Sequence, residues 1–344
     1  MRRNILVVVF LAIVAALYAG YWYSAAELAR RGLLDWSAAR RSEGFTIGWD
    51  RTEVGGFPLA LRVTLEKPIF GQSRIEPGYE ARAPLLIGEA RPWALGQLHI
   101  VAAQGATLAI QPGPERPAID VAAASLDGTV IPGQDGDATM NAGADLTLAA
   151  DRLAVSGQTS LAIAHAVASA RIPGRAVASH LQTWLSASFA LDGVALPVAV
   201  PPLGDTVERI ATTLAIKGTI PPGARRQALA AWRDDGGTLE LESFALAWGK
   251  LAVDAKGTVA LDAALQPVGA LTATIGGYGE IVDALVAAGN LKAGDAAMVK
   301  VALGLLAKPA PNGGYQLEAP VTLQNGQVYL GPVRLARMPN FVWE

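Results

Sequence analysis

Three histidines, His99, His165 and His180, and a complete lack of cysteine set the first limits on chemistry. A zinc centre needs three or four Cys, His or carboxylate ligands, and its paired ligands usually sit a few residues apart. No two of these histidines have that spacing, so a metal site would have to draw carboxylates from distant parts of the chain. Without cysteine there are no disulfides, no thiolate nucleophiles and no Cys-ligated metals, and stability rests on burial. A Gly-x-Ser-x-Gly elbow and a Walker loop are both missing. Gly277-Tyr278-Gly279 comes closer to a motif. It follows an expected strand at 271–275 and opens an expected helix, as a dinucleotide loop does. The third glycine position is Val282, however, and the neighbouring strands read as antiparallel, so a glycine turn into a helix is the favoured reading. Asp234 and Asp235 are adjacent at a helix end and should point into water. Trp93, Trp184, Trp232 and Trp248 read as core anchors or rim residues rather than a ligand cage. No acid, base, nucleophile or metal set emerges. The chain is expected to be non-enzymatic and to carry no cofactor.

The elements that would position any site begin with an apolar N-terminus. Arg2 and Arg3 precede an apolar run that includes Ile5, Leu6, Phe10, Leu11 and Leu17, followed by Tyr18, Tyr21, Trp22 and Tyr23. A spanning helix needs about 20 largely apolar residues, and aromatic residues favour the membrane–water interface. Residues 1–26 therefore read as a transmembrane anchor. The competing reading is a cleaved signal peptide with Ser24-Ala25-Ala26 as its cleavage site, although bulky aromatics just before such a site are unusual. A short basic tail usually stays cytoplasmic, which places the body on the far side. Arg30, Arg31, Arg40 and Arg41 follow the span, so the positive-inside count alone does not decide. Residues 27–43 read as an amphipathic connecting helix with Leu28, Leu33 and Trp36 as its apolar positions and Gly32 weakening it.

Beyond Gly44 the hydrophobic period changes from helical to two. Leu59, Leu61, Val63 and Leu65 alternate with smaller or charged residues until Pro68. Such alternation places large apolar side chains on one sheet face. Similar pairs recur at Leu108/Ile110, Leu146/Leu148, Leu153/Val155, Leu161/Ile163 and Leu214/Ile216. Near the C-terminus, Leu239 and Leu241 start a strand whose phase slips at Ser243-Phe244 and resumes as Phe244, Leu246 and Trp248, which predicts a β-bulge. Gly249-Lys250 suits a two-residue hairpin turn that sets Trp248 against Leu251 and Leu246 against Val253. Asn325-Gly326 is the strongest hairpin signal. It sets Leu323 against Val328 and Val321 against Leu330. Both turns gather apolar residues on one face.

Helices are expected at 224–235, ended by Gly236-Gly237, and at 278–288, ended by Gly289-Asn290. A third is expected from an Asp295 N-cap onward. The stretches 112–117 and 309–314 read as loops. The fold class is mainly β with a few helices: a transmembrane helix, then a β-rich part at 44–200 and a second at 201–344, continuous with it. The 344 residues carry a net charge of -2 and no run of Lys and Arg, which argues against nucleic acid. Charged residues make up 17%, below the roughly 25% of soluble domains.

The anchor, Gly56-Phe57-Pro58, Arg91-Pro92-Trp93, the segment 244–249, and Gly331-Pro332 before Val333 and Leu335 occur in an order that resembles the uncharacterised Gram-negative inner-membrane family called domain of unknown function 2125. That family is similar in build to AsmA-like envelope proteins. The resemblance covers most of the chain, carries no catalytic residues, and implies a periplasmic body with an elongated, curved antiparallel sheet. Its concave face would take phospholipid acyl chains. The expected role is therefore lipid handling or envelope homeostasis beside a membrane; the alternative is a scaffold that binds other envelope proteins. The same apolar rows could instead pack under the expected helices.

Overall fold

The computed structural model describes residues 2–74, 77–113, 117–132, 143–174, 176–289, 291–310, 314–331 and 333–343. Among them the chain is mainly β, and all the strand pairings are antiparallel. The expected loops at 112–117 and 309–314, the stop at Asn290 and the Gly331-Pro332 step fall wholly or partly outside the described residues.

The N-terminal helix runs unbroken over Arg2–Ser42. At about 1.5 Å per residue it is about 60 Å long, twice the hydrocarbon thickness of a bilayer. A change of element at residue 26 is thus not seen. Gly20 and Gly32 weaken a helix by about 1 kcal/mol each, but no proline follows either, and nothing stops the backbone until Gly44, whose φ is +94.

Two compact units follow contact by contact, one formed by Met1–Pro132 with Leu148–Ser160 and one by Gly133–Thr147 with Leu161–Glu344. The strand Gly143–Ser156 is thus divided between them. The step from 200 to 201 lies in a hairpin turn inside the second unit, where Val200 pairs with Gly204.

In the first unit the chain folds as a meander of long strands, each broken near its middle. Phe45–Gly48 and Arg51–Gly55 form the first, Leu61–Glu66 and Ile69–Gln72 the second, and Gly78–Arg82 and Leu85–Arg91 the third. Ala94–Ala102 with Ala106–Gln111, and Ile119–Ala123 with Ser125–Pro132, continue the series. The breaks lie side by side at 49–50, 67–68, 83–84, 103–105 and 124, forming one crease across the sheet. Positive φ values at Lys67, Gly105 and Arg152 mark it. Backbone bonds still cross it: Lys67 N–H donates to Pro84 O at 2.9 Å, and Ala83 N–H to Pro68 O at 3.3 Å. Lys67 Nζ also donates to Asp50 Oδ2 at 2.9 Å, which raises the lysine pKa. The alternating strand Leu61–Glu66 thus ends just before Pro68, and Ile69–Gln72 follows it with the phase stepped by one. Leu61, Val63 and Leu65 face the helix before the crease; beyond it the ring of Phe70 faces the helix, stacked on Trp36 at 6.3 Å.

The second unit is a longer meander. Leu161–Pro173, Thr183–Val200, Gly204–Lys217, Thr238–Trp248, Leu251–Leu261, Pro267–Gly276 and Gly314–Gln324 pair in that order. The bulge expected at Ser243 is present: pairing jumps between Leu241 and Phe244. Trp248 pairs with Leu251, Leu246 with Val253, Leu323 with Val328 and Val321 with Leu330. Helices Arg225–Asp234, Tyr278–Ala287 and Ala293–Leu306 interrupt the meander. Trp232 fastens the first of these, donating its Nε1–H to Lys217 O at 2.7 Å. Asp295 is not the cap of the last; Lys292 is, and Asp295 lies in the first turn.

Candidate functional site

The apolar sheet face meets two different fates. In the second unit it is covered. Leu251, Ala273, Ile275 and Leu317 are buried together with Leu203, and Leu246, Trp248, Val253, Val321 and Leu330 pack around them. Tyr278, Ile281, Ala284 and Leu303 close over this cluster from the two helices. Those rows are therefore a core. Phe244, opposite Ala255, extends the same face.

In the first unit the face is only partly covered, and a groove of about 430 Å³ remains between sheet and helix. Its helix wall is Ala25, Leu28, Ala29 and Leu33, spaced at three and four residues and so on one helix face. Its floor is built from alternate residues of three adjacent strands: Leu61, Val63 and Leu65, then Leu86, Gly88 and Ala90, then Leu98 and Ile100, with Leu95 at one end. The registers set Val63 opposite Gly88 and Gly88 opposite Ile100, so these residues share one side. All thirteen lining residues are aliphatic or glycine. The volume lies within the roughly 300–1,000 Å³ of small-molecule sites. Two features keep the space open. Ala25 and Ala29 are small, and Gly88 leaves the floor low. A Cβ on Gly88 would meet only ordinary contacts, Leu98 Cδ1 at 3.6 Å and Val63 O at 4.0 Å. The rim residue Leu28 is 72% exposed.

Below the groove the helix is clamped to two hairpin turns. Trp22 is 4% exposed and packs on Ala26 and Leu61. Its Nε1–H donates to Ala60 O at 2.9 Å, and its ring meets Phe57 edge-on at 5.5 Å. Tyr21 Oη–H donates to Pro92 O at 2.6 Å, Tyr18 Oη–H donates to Pro58 O, and Tyr23 stacks on Phe57 at 6.0 Å. The aromatic cluster thus holds protein as well as presenting exposed faces, and Trp22 turns inward. Leu59 is not part of the strand face. It lies in the turn before Leu61–Glu66 and is exposed. Preceding the clamp, Ile5, Leu6, Phe10, Leu11 and Leu17 are exposed with no protein over them. By length and composition this helix is able to cross a membrane once.

The residues weighed for chemistry do not converge. His99 Nε2 lies 2.8 Å from Asp127 Oδ2 on an exposed face. His165 sits opposite Asp192 in the second unit, and His180 lies in a turn beside Gly218 and Gly236. Among the described residues no group of three or more His, Asp or Glu is placed to hold a metal ion. Asp145 and Arg171 form an exposed pair at 2.6 Å, and the guanidinium holds the Asp145 carboxyl below its ordinary range. Gly277 caps Tyr278–Ala287 with φ +65, and a Cβ there would lie 2.0 Å from Lys250 O. Its strand has antiparallel neighbours on both sides, so the dinucleotide geometry is not formed.

Residues 22–339 match the protein family described as an uncharacterized protein conserved in bacteria, DUF2125. No curated protein and no solved structure matches the chain.

Proposed function

Taking as premise that the chain belongs to this bacterial family of uncharacterized proteins, we propose that it is a membrane-anchored, non-enzymatic lipid-handling protein. Its groove beside the N-terminal helix receives an acyl chain. The single observation that carries this reading is the wholly aliphatic groove, walled by the later turns of the same helix whose apolar start is able to cross a bilayer. Each methylene moved from water into such a surface contributes about 0.8 kcal/mol. Ten would contribute about 8 kcal/mol, enough to offset a good part of the cost of ordering a flexible chain. The lining carries no acid, base or nucleophile to act on what it binds. In this reading the N-terminus is cytoplasmic, the span lies in the inner membrane and the body is periplasmic; the short basic start of the chain supports that orientation.

The test uses the full chain in nanodiscs that contain a phospholipid with a diazirine on one acyl chain. Crosslinks are expected on the strands Leu61–Glu66 and Leu85–Arg91. Gly88→Leu fills the floor and should reduce them several-fold. Gly88→Ala controls for folding, because its Cβ meets only ordinary contacts. Equal labelling in the wild type and Gly88→Leu would count against the groove, and recovery of a bound envelope protein in place of lipid would favour a scaffold.

A further inference from the structure

Two hairpin turns hold the clamp, and both display large apolar side chains to solvent. Phe57 is 49% exposed, Leu59 68% and Trp93 63%, and Leu95 is exposed beside Trp93. A soluble surface seldom gathers aromatic and aliphatic side chains on adjacent turn tips without a partner. Their position along the helix identifies the partner. Tyr18, Tyr21 and Trp22 touch the 57–60 and 92 turns. From Ile5 to Trp22 is 18 residues, which at about 1.5 Å each makes about 27 Å, close to the hydrocarbon thickness of a bilayer. If the apolar run fills that layer, the clamp lies at its boundary, and the tips fixed to the clamp lie there too. Tyr and Trp favour this depth. Arg91 is exposed and would sit at the level of lipid phosphates.

We propose that the turns at 57–59 and 91–95 are immersed in the interface of the bilayer that the N-terminal helix crosses, so that the groove opens directly onto one leaflet. The occupant of this surface is the lipid bilayer itself. The groove residues Ala25 to Leu33 begin three positions beyond Trp22, about 5 Å farther along the helix, so a chain would reach them without crossing water. The inference rests on the helix being the span and not on the groove being filled.

The chain has no cysteine, so single nitroxide labels can be placed at Leu59→Cys, Trp93→Cys and, on the crease, Gln104→Cys. The full chain is placed in nanodiscs of phosphatidylcholine and phosphatidylglycerol. Collisions with oxygen and with a water-soluble nickel chelate are then compared by electron paramagnetic resonance. Labels at 59 and 93 are expected to favour oxygen several-fold over the label at 104. Equal exposure of all three to the nickel chelate would overturn the inference. So would tips that stay wet while the groove still crosslinks to lipid, a result that would leave the groove reading standing. Immersed tips with an unlabelled groove would do the reverse. Since a label could distort a turn, intrinsic Trp93 quenching by lipids brominated at defined depths gives a second readout, with Trp93→Phe identifying its share of the signal. Absence of any Trp93-dependent quenching would also overturn the inference.

Discussion

Replacing Trp22 by Ala asks whether the N-terminal helix and the sheet of the first unit are held as one body. Trp22 makes three kinds of contact at once: packing on Ala26 and Leu61, edge contacts with Tyr23 and Phe57 at 5.3 and 5.5 Å, and the bond to Ala60 O. Truncating a buried Trp costs about 3–5 kcal/mol. Within that, the ring contacts account for about 0.5–1.5 kcal/mol and the carbonyl left unpaired for about 1–3 kcal/mol. Ala60 lies near a turn, where water reaches it easily, so the lower end, about 3 kcal/mol, is the expected value. At about 1.4 kcal/mol per decade, detachment of the helix should become about a hundredfold more frequent. Once detached, the segment past residue 22 loses the tertiary packing from which most of a protein helix's stability comes. Hydrogen exchange of the full chain in nanodiscs reads this directly. Amides across 25–42 should exchange about a hundredfold faster in Trp22→Ala, with Trp22→Phe intermediate, while the strands of the second unit stay unchanged. Unchanged exchange across 25–42 would refute the claim that Trp22 fastens the helix.

Three further outcomes are expected. Gly277→Ala should destabilise the second unit by at least about 2 kcal/mol in urea unfolding, because it adds a left-handed penalty to a collision with Lys250 O. Gly289→Ala, at φ +73 with nothing within 4 Å, should cost only about 1 kcal/mol. The Asp145–Arg171 pair should give a small pH dependence. The folded carboxyl titrates below its unfolded value of about 3.9. Its contribution is therefore complete above that value and lost as the pH falls through the folded one. Asp145→Asn should remove this part of the acid sensitivity, as measured by unfolding between about pH 5 and 2.

The parts of the fold that local chemistry dictates were legible from the residues. Asn325 and Gly326 both take positive φ, as a tight hairpin requires, and the apolar pairs on either side then have only one register that keeps them on one face. The slip at Ser243 was visible for the same reason. What alternation cannot convey is what covers a face. Leu246 and Trp248 carry the same pattern as Val63 and Leu65, yet the first two lie under helices from elsewhere in the chain and the last two line a groove. Nor could the helix wall be read in advance. Leu28 and Leu33 were visible as apolar positions, but the signal for a groove was the small pair Ala25 and Ala29, which only has meaning opposite Gly88. Nothing local marks the turns at 57–59 and 91–95 as clamps. Their partners, Tyr21 and Trp22, are 71 and 38 residues away from Pro92 and Ala60.

The crease across the first sheet has a bearing on how its strands find their partners. In an ordinary antiparallel ribbon, sliding one strand by two residues keeps every side chain on its proper side, so such errors are weakly opposed. Here each strand carries its own notch, at Lys67, at Ala83-Pro84, at Gly105 and at Ala124, and the notches must fall in line. A strand displaced by two would set its notch against a neighbour's straight segment and lose the bonds that bridge the fold. The line of interruptions thus works as a keyway, admitting one alignment and rejecting the nearest wrong ones.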